Sequence, residues 1–274
     1  MHGVVIMKRM TDAVAQTNRE RWTALVEADV VWSRPRVDMT PETARARLNQ
    51  DADMDKLLDI DVAGLKVLCL GGGGGQQSVS FSLLGARVTV VDLTPAQLEK
   101  DRAMAAHYGY NLRVVEADMR DLSALDDDGF DLVWQPYSIN FVPDPLVVFA
   151  EVERVLRPNG RYYLQFANPH GSVEDKDWTG EGYPIKLPYI QGLEYPHDLR
   201  IWDVDDSDGH TQKVLGPREF IHTWETIVNG LARHGFVIYG MHGGPHGDAS
   251  AEPGTWDHML TYLPLWPGFY CRRC

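Results

Sequence analysis

Five consecutive glycines, Gly71 to Gly75, follow directly on the short apolar run KVLCL at 66–70. Glycine accepts the left-handed backbone of a tight turn, and it lets a ligand approach the main chain closely. A helix that begins after such a turn points its free N–H groups at the ligand. The glycine run therefore predicts a ligand-binding turn between a buried strand and a helix.

Short apolar segments alternate with helical segments along much of the chain. Strands are predicted at 66–70, 86–93, 111–118, 130–135, 161–166, 236–242 and near 268–273. Helices are predicted at 11–28, 41–50, 95–106, 144–156 and 218–234. Short strands separated by helices form a parallel sheet that is covered on both faces. We therefore expect the α/β class, with a doubly wound, mostly parallel seven-stranded sheet.

The charge balance argues against polyanionic partners. The chain has a formal net charge of −13, whereas proteins that bind nucleic acid need a basic face to neutralise phosphates. We therefore expect neither a nucleic acid nor a membrane as partner, and the sequence leaves the oligomeric state open. The N-terminal stretch 1–10 lacks the pattern of a secretion signal, and no apolar run is long enough to span a bilayer. Together these features predict a cytoplasmic protein.

Signals for metal binding and disulfides are weak. Three cysteines in 274 residues make no disulfide framework, which fits a reducing compartment. The acidic stretch from 51 resembles a calcium loop, but Lys56 and Val62 stand where glycine and glutamate are required. The acidic stretch 203–209 fails in the same way. We predict no metal site.

The glycine turn discriminates between two classes of cofactor. The dinucleotide fingerprint G-x-G-x-x-G needs glycine or alanine at its sixth place. That place holds Gln76, Gln77 or Ser78 in the three possible registers, so the fingerprint fails in each. The chain also lacks the G-x-x-x-x-G-K-[ST] pattern of a phosphate-binding loop.

The turn resembles the first motif of the class I S-adenosylmethionine-dependent methyltransferases, acidic-x-G-x-G-x-G. Gly71, Gly73 and Gly75 match its glycines, whereas Cys69 stands in the acidic place. The resemblance extends in order over 66–166, through VTVVDLTPAQL, EADMRDL, FDLVWQPYSINFVPDP and VLRPNGRYYL. It implies the Rossmann-like fold of that family and S-adenosylmethionine as cofactor, with S-adenosylhomocysteine as product.

The resemblance also implies which residues bind the cofactor. The three glycines form the turn beneath it, and Asp92, with Leu93 beside it, takes the ribose hydroxyls. Asp118 and Met119 lie at the edge of the adenine. Gln135 follows the fourth strand and completes the predicted cofactor-binding set.

Acceptor-site residues are predicted from the same resemblance and from composition. Tyr137 and Asn140 follow the fourth strand, where the family lines its methyl-transfer pocket. FIHTWETIVNGLARHGF resembles a downstream helix with a histidine near the acceptor, which makes His222 the candidate base; a solvent-exposed histidine is the alternative. Trp178 and Tyr183 belong to an aromatic-rich insertion and are predicted to enclose the acceptor. The predicted catalytic residues are thus His222 and Tyr137.

We expect a single methyltransferase domain over 1–274, in four parts. Residues 1–63 form an N-terminal helical cap, and 64–166 form the cofactor-binding core. The irregular insertion 167–217 is expected to act as a lid over the acceptor, since long loops in compact domains are usually functional. Residues 218–274 supply the C-terminal helix and strands.

The predicted reaction is methyl transfer from S-adenosylmethionine to a small molecule by in-line displacement, with oxygen or nitrogen as the favoured acceptor atom. Two alternatives remain at this point. A nicotinamide-dependent oxidoreductase on a related sheet is disfavoured by Gln76 and Gln77. A protein that binds S-adenosylmethionine without catalysis is kept open by Cys69.

Overall fold

The sheet of the protein follows from its short apolar runs. A computed structural model describes residues 12–205 and 209–274. The strands are β1 Lys66–Leu70, β2 Arg87–Asp92, β3 Leu112–Glu116, β4 Phe130–Gln135, β5 Leu156–Gln165, β6 Ile201–Asp205, β7 Thr211–Leu215, β8 Phe236–His242 and β9 Gly268–Arg273. Seven of them form one sheet in the order β3-β2-β1-β4-β5-β9-β8, and β6 pairs with β7 in a separate hairpin. The first five strands pair in parallel, and β9 runs antiparallel to both of its neighbours.

Helices cover both faces of this sheet. They are α1 Ala13–Glu27, α2 Pro41–Ala52, α3 Met54–Leu57, α4 Gln77–Leu83, α5 Pro95–Tyr108, α6 Pro145–Val155, α7 Trp224–Arg233 and α8 Trp256–Met259. Alternate residues of β1 enter different cores: Leu68 packs in the cluster that includes α6 and α7, and Val67 in the cluster that includes Leu98 of α5. Alternation of this kind is what buries a strand on both faces. The predicted doubly wound, mostly parallel seven-stranded fold is confirmed.

The chain reverses its direction of travel across the sheet at β1. β1 pairs with β2 on one side and with β4 on the other, so the loops after β1 and β4 leave the carboxyl edge in opposite directions. Ligands of open α/β sheets bind in the crevice that such a switch point opens. The glycine turn lies at this point.

The prediction of a helix over 218–234 was wrong at its start, because α7 begins only at Trp224. The preceding residues are extended and pair with the insertion: the Ile221 backbone N–H donates to the Leu193 oxygen at 2.8 Å. Thr223 then caps the helix, since its hydroxyl accepts a hydrogen bond from the Thr226 N–H. Long-range pairing, which a local periodicity does not reveal, decides the structure of this segment.

The insertion is more regular than its composition indicates. It carries the β6–β7 hairpin, and Val204 of that hairpin packs with Leu25 of α1 in a small apolar cluster. The hairpin and the N-terminal cap therefore lie against each other above the sheet. Residues 1–11, which hold the stretch without a secretion signal, and 206–208, inside the acidic stretch, lie outside the described residues. Within the described ranges, none of the helices is both long enough and apolar enough to cross a membrane.

Candidate functional site

A cavity of about 1010 Å³ opens at the carboxyl edge of the sheet. Its floor includes Gly71, Gly73 and the loop after β4, and its walls come from the N-terminal cap and the insertion. The cavity thus lies at the switch point of the sheet. Its volume is at the upper end of the range for small-molecule sites in proteins.

Glycine is required in the turn for reasons of space as well as backbone geometry. Gly71 has φ +67°, and a Cβ atom placed on it would lie 2.5 Å from Cβ of Ser138. Gly74 has φ +74°, and a Cβ atom there would collide with the amide oxygen of Gln97. Side chains at these positions would close the approach to the main chain.

An acid that sequence reasoning missed supports the turn from α5. Oδ1 of the buried Asp101 accepts hydrogen bonds from the Gly75 backbone N–H, at 2.9 Å, and from the Ser78 hydroxyl. Burial raises the pKa of Asp101 to about 7, and the Ser78 hydrogen bond offsets part of that rise. Gly75, predicted to contact the cofactor, lies behind the cavity lining and makes this contact instead. The third motif glycine therefore serves the shape of the turn.

Asp92 and Leu93 both line the cavity where β2 ends. The Thr94 backbone N–H donates to Oδ1 of Asp92 at 2.8 Å, which fixes the carboxylate at the head of α5. Burial raises the pKa of Asp92 to about 6, although hydrogen bonds from the backbone of Thr94 and Gly73 oppose the rise. A carboxylate in this position can accept hydrogen bonds from a pair of ribose hydroxyls.

The predicted adenine edge contains a clamp between the core and the cap. Asp118 and Met119 line the cavity, as does Arg120, which the sequence did not identify. Both oxygens of Asp118 are engaged by the Arg120 guanidinium, at 2.6 to 3.2 Å. The same guanidinium pairs with Asp12, the residue that caps α1. Asp118 therefore holds the N-terminal helix against this end of the cavity through Arg120.

Polar atoms that lack partners surround the glycine turn. Among the described residues, Gln77 Oε1, Thr94 Oγ1 and Gln97 Oε1 are buried without a hydrogen-bond partner, and all three side chains line the cavity. Cys69, in the place of the motif carboxylate, is buried in the core, and burial raises the pKa of its thiol well above the usual range. A ligand with a charged polar end fits this turn, since buried polar groups rarely remain unpaired.

Tyr137 lines the cavity beside the glycine turn and contacts a carboxylate that the sequence did not reveal. Its hydroxyl donates to Oε2 of Glu219 at 2.7 Å, and Glu219 also lines the cavity. Tyr137 has φ +55°, a left-handed conformation that costs a non-glycine residue about 1–2 kcal/mol. Burial raises the pKa of the Tyr137 hydroxyl well above its ordinary value, so this group acts as a hydrogen-bond donor.

The structure contradicts the prediction that His222 is a base at the acceptor. Its side chain is fully buried behind the cavity wall, in the extended segment before α7. Nε2 lies 3.1 Å from the Ile139 backbone oxygen, and Nδ1 lies 3.1 Å from the Gln191 amide nitrogen. Burial lowers the pKa of His222 to about 4. The neutral ring cross-links three segments, and the alternative of a solvent-exposed histidine is also wrong.

Four further predicted contacts lie outside the cavity lining, as the structure describes it. They are Gln135, Asn140, Trp178 and Tyr183. Gln135 accepts a hydrogen bond from the Tyr162 hydroxyl beneath the floor, and Asn140 bonds the backbones of Phe220 and Ala167.

Trp178 and Tyr183 pack in a separate aromatic cluster rather than over the cavity. Their rings lie 5.1 Å apart, and the Tyr183 hydroxyl lies 3.0 Å from Nδ1 of His258, the histidine of α8. The sequence predicts that these two rings enclose the acceptor, whereas the structure places both outside the cavity lining, packed against each other and His258. As for metals, the described residues nowhere bring three His, Cys, Asp or Glu side chains together in a suitable group.

Sequence relatives agree with this geometry. The sequence model of the methyltransferase domain family matches residues 68–164. The uncharacterized methyltransferase YbaJ of Bacillus subtilis is 31% identical over 241 residues, which cover 84% of this chain and 91% of that protein. A ubiquinone biosynthesis O-methyltransferase of Xanthomonas oryzae is 33% identical over 109 residues, which are 40% of this chain and 46% of that one.

Solved structures share the fold. An S-adenosylmethionine-dependent methyltransferase from Mesorhizobium loti superposes with a TM-score of 0.61 at 23% identity, over 87% of this chain and all of that one. The 1,6-didemethyltoxoflavin-N1-methyltransferase of Burkholderia thailandensis, with 1,6-didemethyltoxoflavin and S-adenosylhomocysteine bound, gives a TM-score of 0.56 at 17% identity, over 94% of this chain and 88% of that one. The family assignment rests on three findings: the glycine turn, the carboxylate that ends β2 and a relative that matches over nearly its full length. This chain belongs to the class I S-adenosylmethionine-dependent methyltransferases.

Proposed function

We propose that this protein methylates a small molecule on nitrogen or oxygen. One observation carries the proposal: a single cavity joins the glycine turn to an enclosed aromatic chamber with a carboxylate at its wall. Rings of Trp22, Phe141 and Trp202 line that chamber, and they suit an acceptor with an apolar body. A cavity of about 1010 Å³ has room for the cofactor and a small acceptor, which favours a small acceptor over a macromolecule.

Different residues of the cavity would bind different parts of the cofactor. Asp92 would take the ribose hydroxyls, and Met119 with the Asp118–Arg120 clamp would border the adenine. The unpartnered oxygens of Gln77 and Gln97 would meet the charged amino-acid end, a role that Cys69 cannot fill. When bound, S-adenosylmethionine supplies a methyl group on a positively charged sulfur, which is already activated for displacement.

The protein contributes to the reaction mainly by positioning the acceptor against the methyl group. The loop after β4 touches the glycine turn: the Ser138 hydroxyl donates to the Leu70 backbone oxygen at 3.1 Å. Tyr137 is thereby fixed beside the reactive end of the site. An acceptor held between this loop and the aromatic rings would be aligned with the displaced bond, and alignment alone accounts for much of an enzyme's rate enhancement.

We also propose that the N-terminal cap (1–63) and the insertion (167–217) act together as the roof of one domain. The contact between Leu25 of α1 and Val204 of the hairpin supports this role. A closed roof excludes water from the site, which strengthens each electrostatic contact made inside it.

The experiment is transfer of label from S-adenosylmethionine labelled in its methyl group to a panel of matched aromatic amines and phenols. We expect a labelled low-mass product with at least one acceptor, and its formation at limiting S-adenosylmethionine to fall strongly in Asp92→Ala. Binding of S-adenosylhomocysteine without transfer to any amine or phenol would instead support the non-catalytic alternative. Relatives named for O-methylation and for N1-methylation motivate the inclusion of both acceptor classes.

A further inference from the structure

Glu219 is tied to the reactive end of the site by a short chain of contacts. Its Oε2 accepts the Tyr137 hydroxyl at 2.7 Å. The next residue after Tyr137, Ser138, bonds the Leu70 backbone and packs directly on Gly71. Glu219, in the segment before α7, therefore contacts Tyr137, and the residue next to Tyr137 packs on the glycine turn. Glu219 is 7% exposed, and it lines the cavity.

The Glu219 carboxylate has few partners for a buried acid. No ion pair among the described residues includes Glu219, and the Tyr137 hydroxyl is its one side-chain donor in the same ranges. Burial raises the pKa of Glu219 to about 7, while the Tyr137 hydrogen bond and the charge of Arg200 lower it in part. Tyr195 is the other titratable group that faces it. Apart from the Tyr137 hydroxyl, the described residues give this carboxylate no side-chain hydrogen-bond donor, so it can accept a further hydrogen bond from a ligand in the cavity.

Aromatic rings line the same cavity as this carboxylate. The Trp22 ring lies 5.5 Å from Phe141 and 5.9 Å from Trp202, and Tyr137 lies 5.8 Å from Phe141. We call Trp22, Tyr137, Phe141, Trp202 and Glu219 the Glu219 chamber. Aromatic faces attract organic cations, and a carboxylate does so more strongly. The chamber therefore has the chemistry that recognises an amine nitrogen, both neutral and as the cation it becomes.

We propose that Glu219 binds the acceptor nitrogen and takes its proton, and that the acceptor is a small amine with an apolar body. This inference rests on the proposed methyltransferase function and narrows its acceptor. The nitrogen lone pair forms the N–CH₃ bond as the S–CH₃ bond breaks, which leaves S-adenosylhomocysteine and a methylated ammonium ion. The ionised Glu219 stabilises the positive charge that develops on nitrogen and then receives one N–H proton. The products are the neutral methylated amine and a protonated Glu219.

The test compares benzylamine with benzyl alcohol, two probes of nearly equal shape, on protein saturated with S-adenosylhomocysteine. We expect benzylamine to raise the thermal unfolding midpoint in a dose-dependent way and benzyl alcohol to raise it much less. Glu219→Gln should weaken benzylamine binding by about 10- to 150-fold, the range for a hydrogen bond to a charged group. Affinity for S-adenosylhomocysteine should not change in this variant. Glu252→Gln, on the exposed surface, is the matched control and should bind benzylamine as the wild type does.

Tyr137→Phe gives a second readout that keeps the carboxylate in place. Benzylamine binding should weaken as the pH falls below about 7, because Glu219 becomes protonated. The Tyr137 hydrogen bond lowers the pKa of Glu219, so its removal should move this midpoint to higher pH. The pH dependence of Tyr137→Phe tests the role of Glu219 even if Glu219→Gln fails to fold.

Four outcomes overturn the assignment of Glu219. The first two are no stabilisation by benzylamine and equal stabilisation by benzyl alcohol. The others are a benzylamine effect that survives Glu219→Gln and one that keeps its pH midpoint in Tyr137→Phe. Each leaves the proposed methyltransferase function standing as long as S-adenosylhomocysteine binds. Failure of S-adenosylhomocysteine to bind the wild type would remove the proposed function itself.

Discussion

The carboxylate of Asp101 accepts a hydrogen bond from the Gly75 backbone N–H at 2.9 Å, so that α5 holds the far end of the glycine turn in place. The same oxygen accepts the Ser78 hydroxyl in α4. One buried acid thus joins the turn to the two helices that follow β1 and β2. The family motif places its acid before the glycines, whereas here Cys69 occupies that place and the acid that supports the turn comes from α5.

Removal of the Asp101 carboxylate should therefore damage both stability and cofactor binding. Asp101→Ala leaves a buried N–H and a buried hydroxyl without a partner, and each such group costs about 1–3 kcal/mol. We expect the free energy of unfolding in urea to fall by roughly 2–5 kcal/mol and affinity for S-adenosylhomocysteine to fall with it. Asp101→Asn, which keeps an acceptor oxygen, is the matched control and should lose much less. Equal and small effects of both substitutions would show that the turn holds its shape without this residue.

Asp101 should also leave a signature in the pH dependence of stability. The folded protein keeps its proton up to about pH 7, whereas the unfolded chain releases it near the ordinary value of 3.8. The unfolded state binds fewer protons between these values, so the free energy of unfolding falls as the pH rises through them. Asp101→Asn removes this contribution, and its stability should decline less than that of the wild type between pH 5 and 7. A parallel decline in both proteins would contradict the raised pKa.

Asp92 should control cofactor affinity and its pH dependence. Asp92→Ala should weaken S-adenosylhomocysteine binding about 10- to 150-fold, because hydrogen bonds to a charged group are worth ~1.5–3 kcal/mol. The ionised form accepts the ribose hydroxyls, and the pKa of Asp92 is raised to about 6. Affinity of the wild type measured by calorimetry should therefore decrease below pH 6, and that of Asp92→Ala should not follow. Unchanged affinity in a folded variant would remove Asp92 from the binding site.

Gln97 should recognise the amino-acid end of the cofactor and not its nucleoside. Gln97→Met keeps the size of the side chain but removes the amide that faces the glycine turn. We expect several-fold weaker binding of S-adenosylhomocysteine, which corresponds to about 1 kcal/mol for one hydrogen bond. Binding of 5′-methylthioadenosine, which lacks the amino and carboxyl groups, should stay the same. Equal losses for both ligands would place Gln97 near the nucleoside or in a purely structural role.

His222 should matter for stability and not for turnover. His222→Ala breaks the contacts to the Ile139 oxygen and the Gln191 amide in a buried site, and we expect a loss of roughly 2–4 kcal/mol in the free energy of unfolding. The pKa of His222 is lowered to about 4, so the unfolded chain takes up a proton below about pH 6.5 that the folded protein does not. His222 therefore destabilises the wild type as the pH falls from 6.5 to 4, and the variant should lack this component. A hundredfold loss of turnover per folded enzyme, with stability unchanged, would restore His222 as a base.

The fold was predictable where the signal is local. β1, β4 and β8 have the bounds that the sequence predicts. β1 and β4 lie inside the sheet and are buried at nearly every position, so their apolar runs mark them clearly. The helices predicted over 11–28 and 41–50 correspond to α1 and α2. Contacts between distant segments were not predictable. The sequence pattern indicates an irregular loop where the β6–β7 hairpin forms, and a helix over 218–223 where the chain is extended.

In the candidate site, too, residues in local motifs were predictable and residues brought in by long-range contacts were not. Gly71, Gly73, Asp92, Leu93, Asp118, Met119 and Tyr137 were predicted and line the cavity. These residues lie in short segments that follow the strands, and a sequence motif can identify such segments. Glu219 was missed because its burial depends on Tyr137, 82 positions away in the chain, and His222, three residues further on, was chosen in its place. A polar residue in the sequence carries no sign of which neighbour will bury it.

The most direct test of the whole account is thermal unfolding of the wild-type protein with increasing S-adenosylhomocysteine and, separately, with NAD. A ligand that binds only the folded state raises the unfolding midpoint in proportion to the logarithm of its concentration once the site is saturated. We predict this rise with S-adenosylhomocysteine and an unchanged midpoint with NAD. A rise with NAD, and none with S-adenosylhomocysteine, would contradict the assignment of the glycine turn.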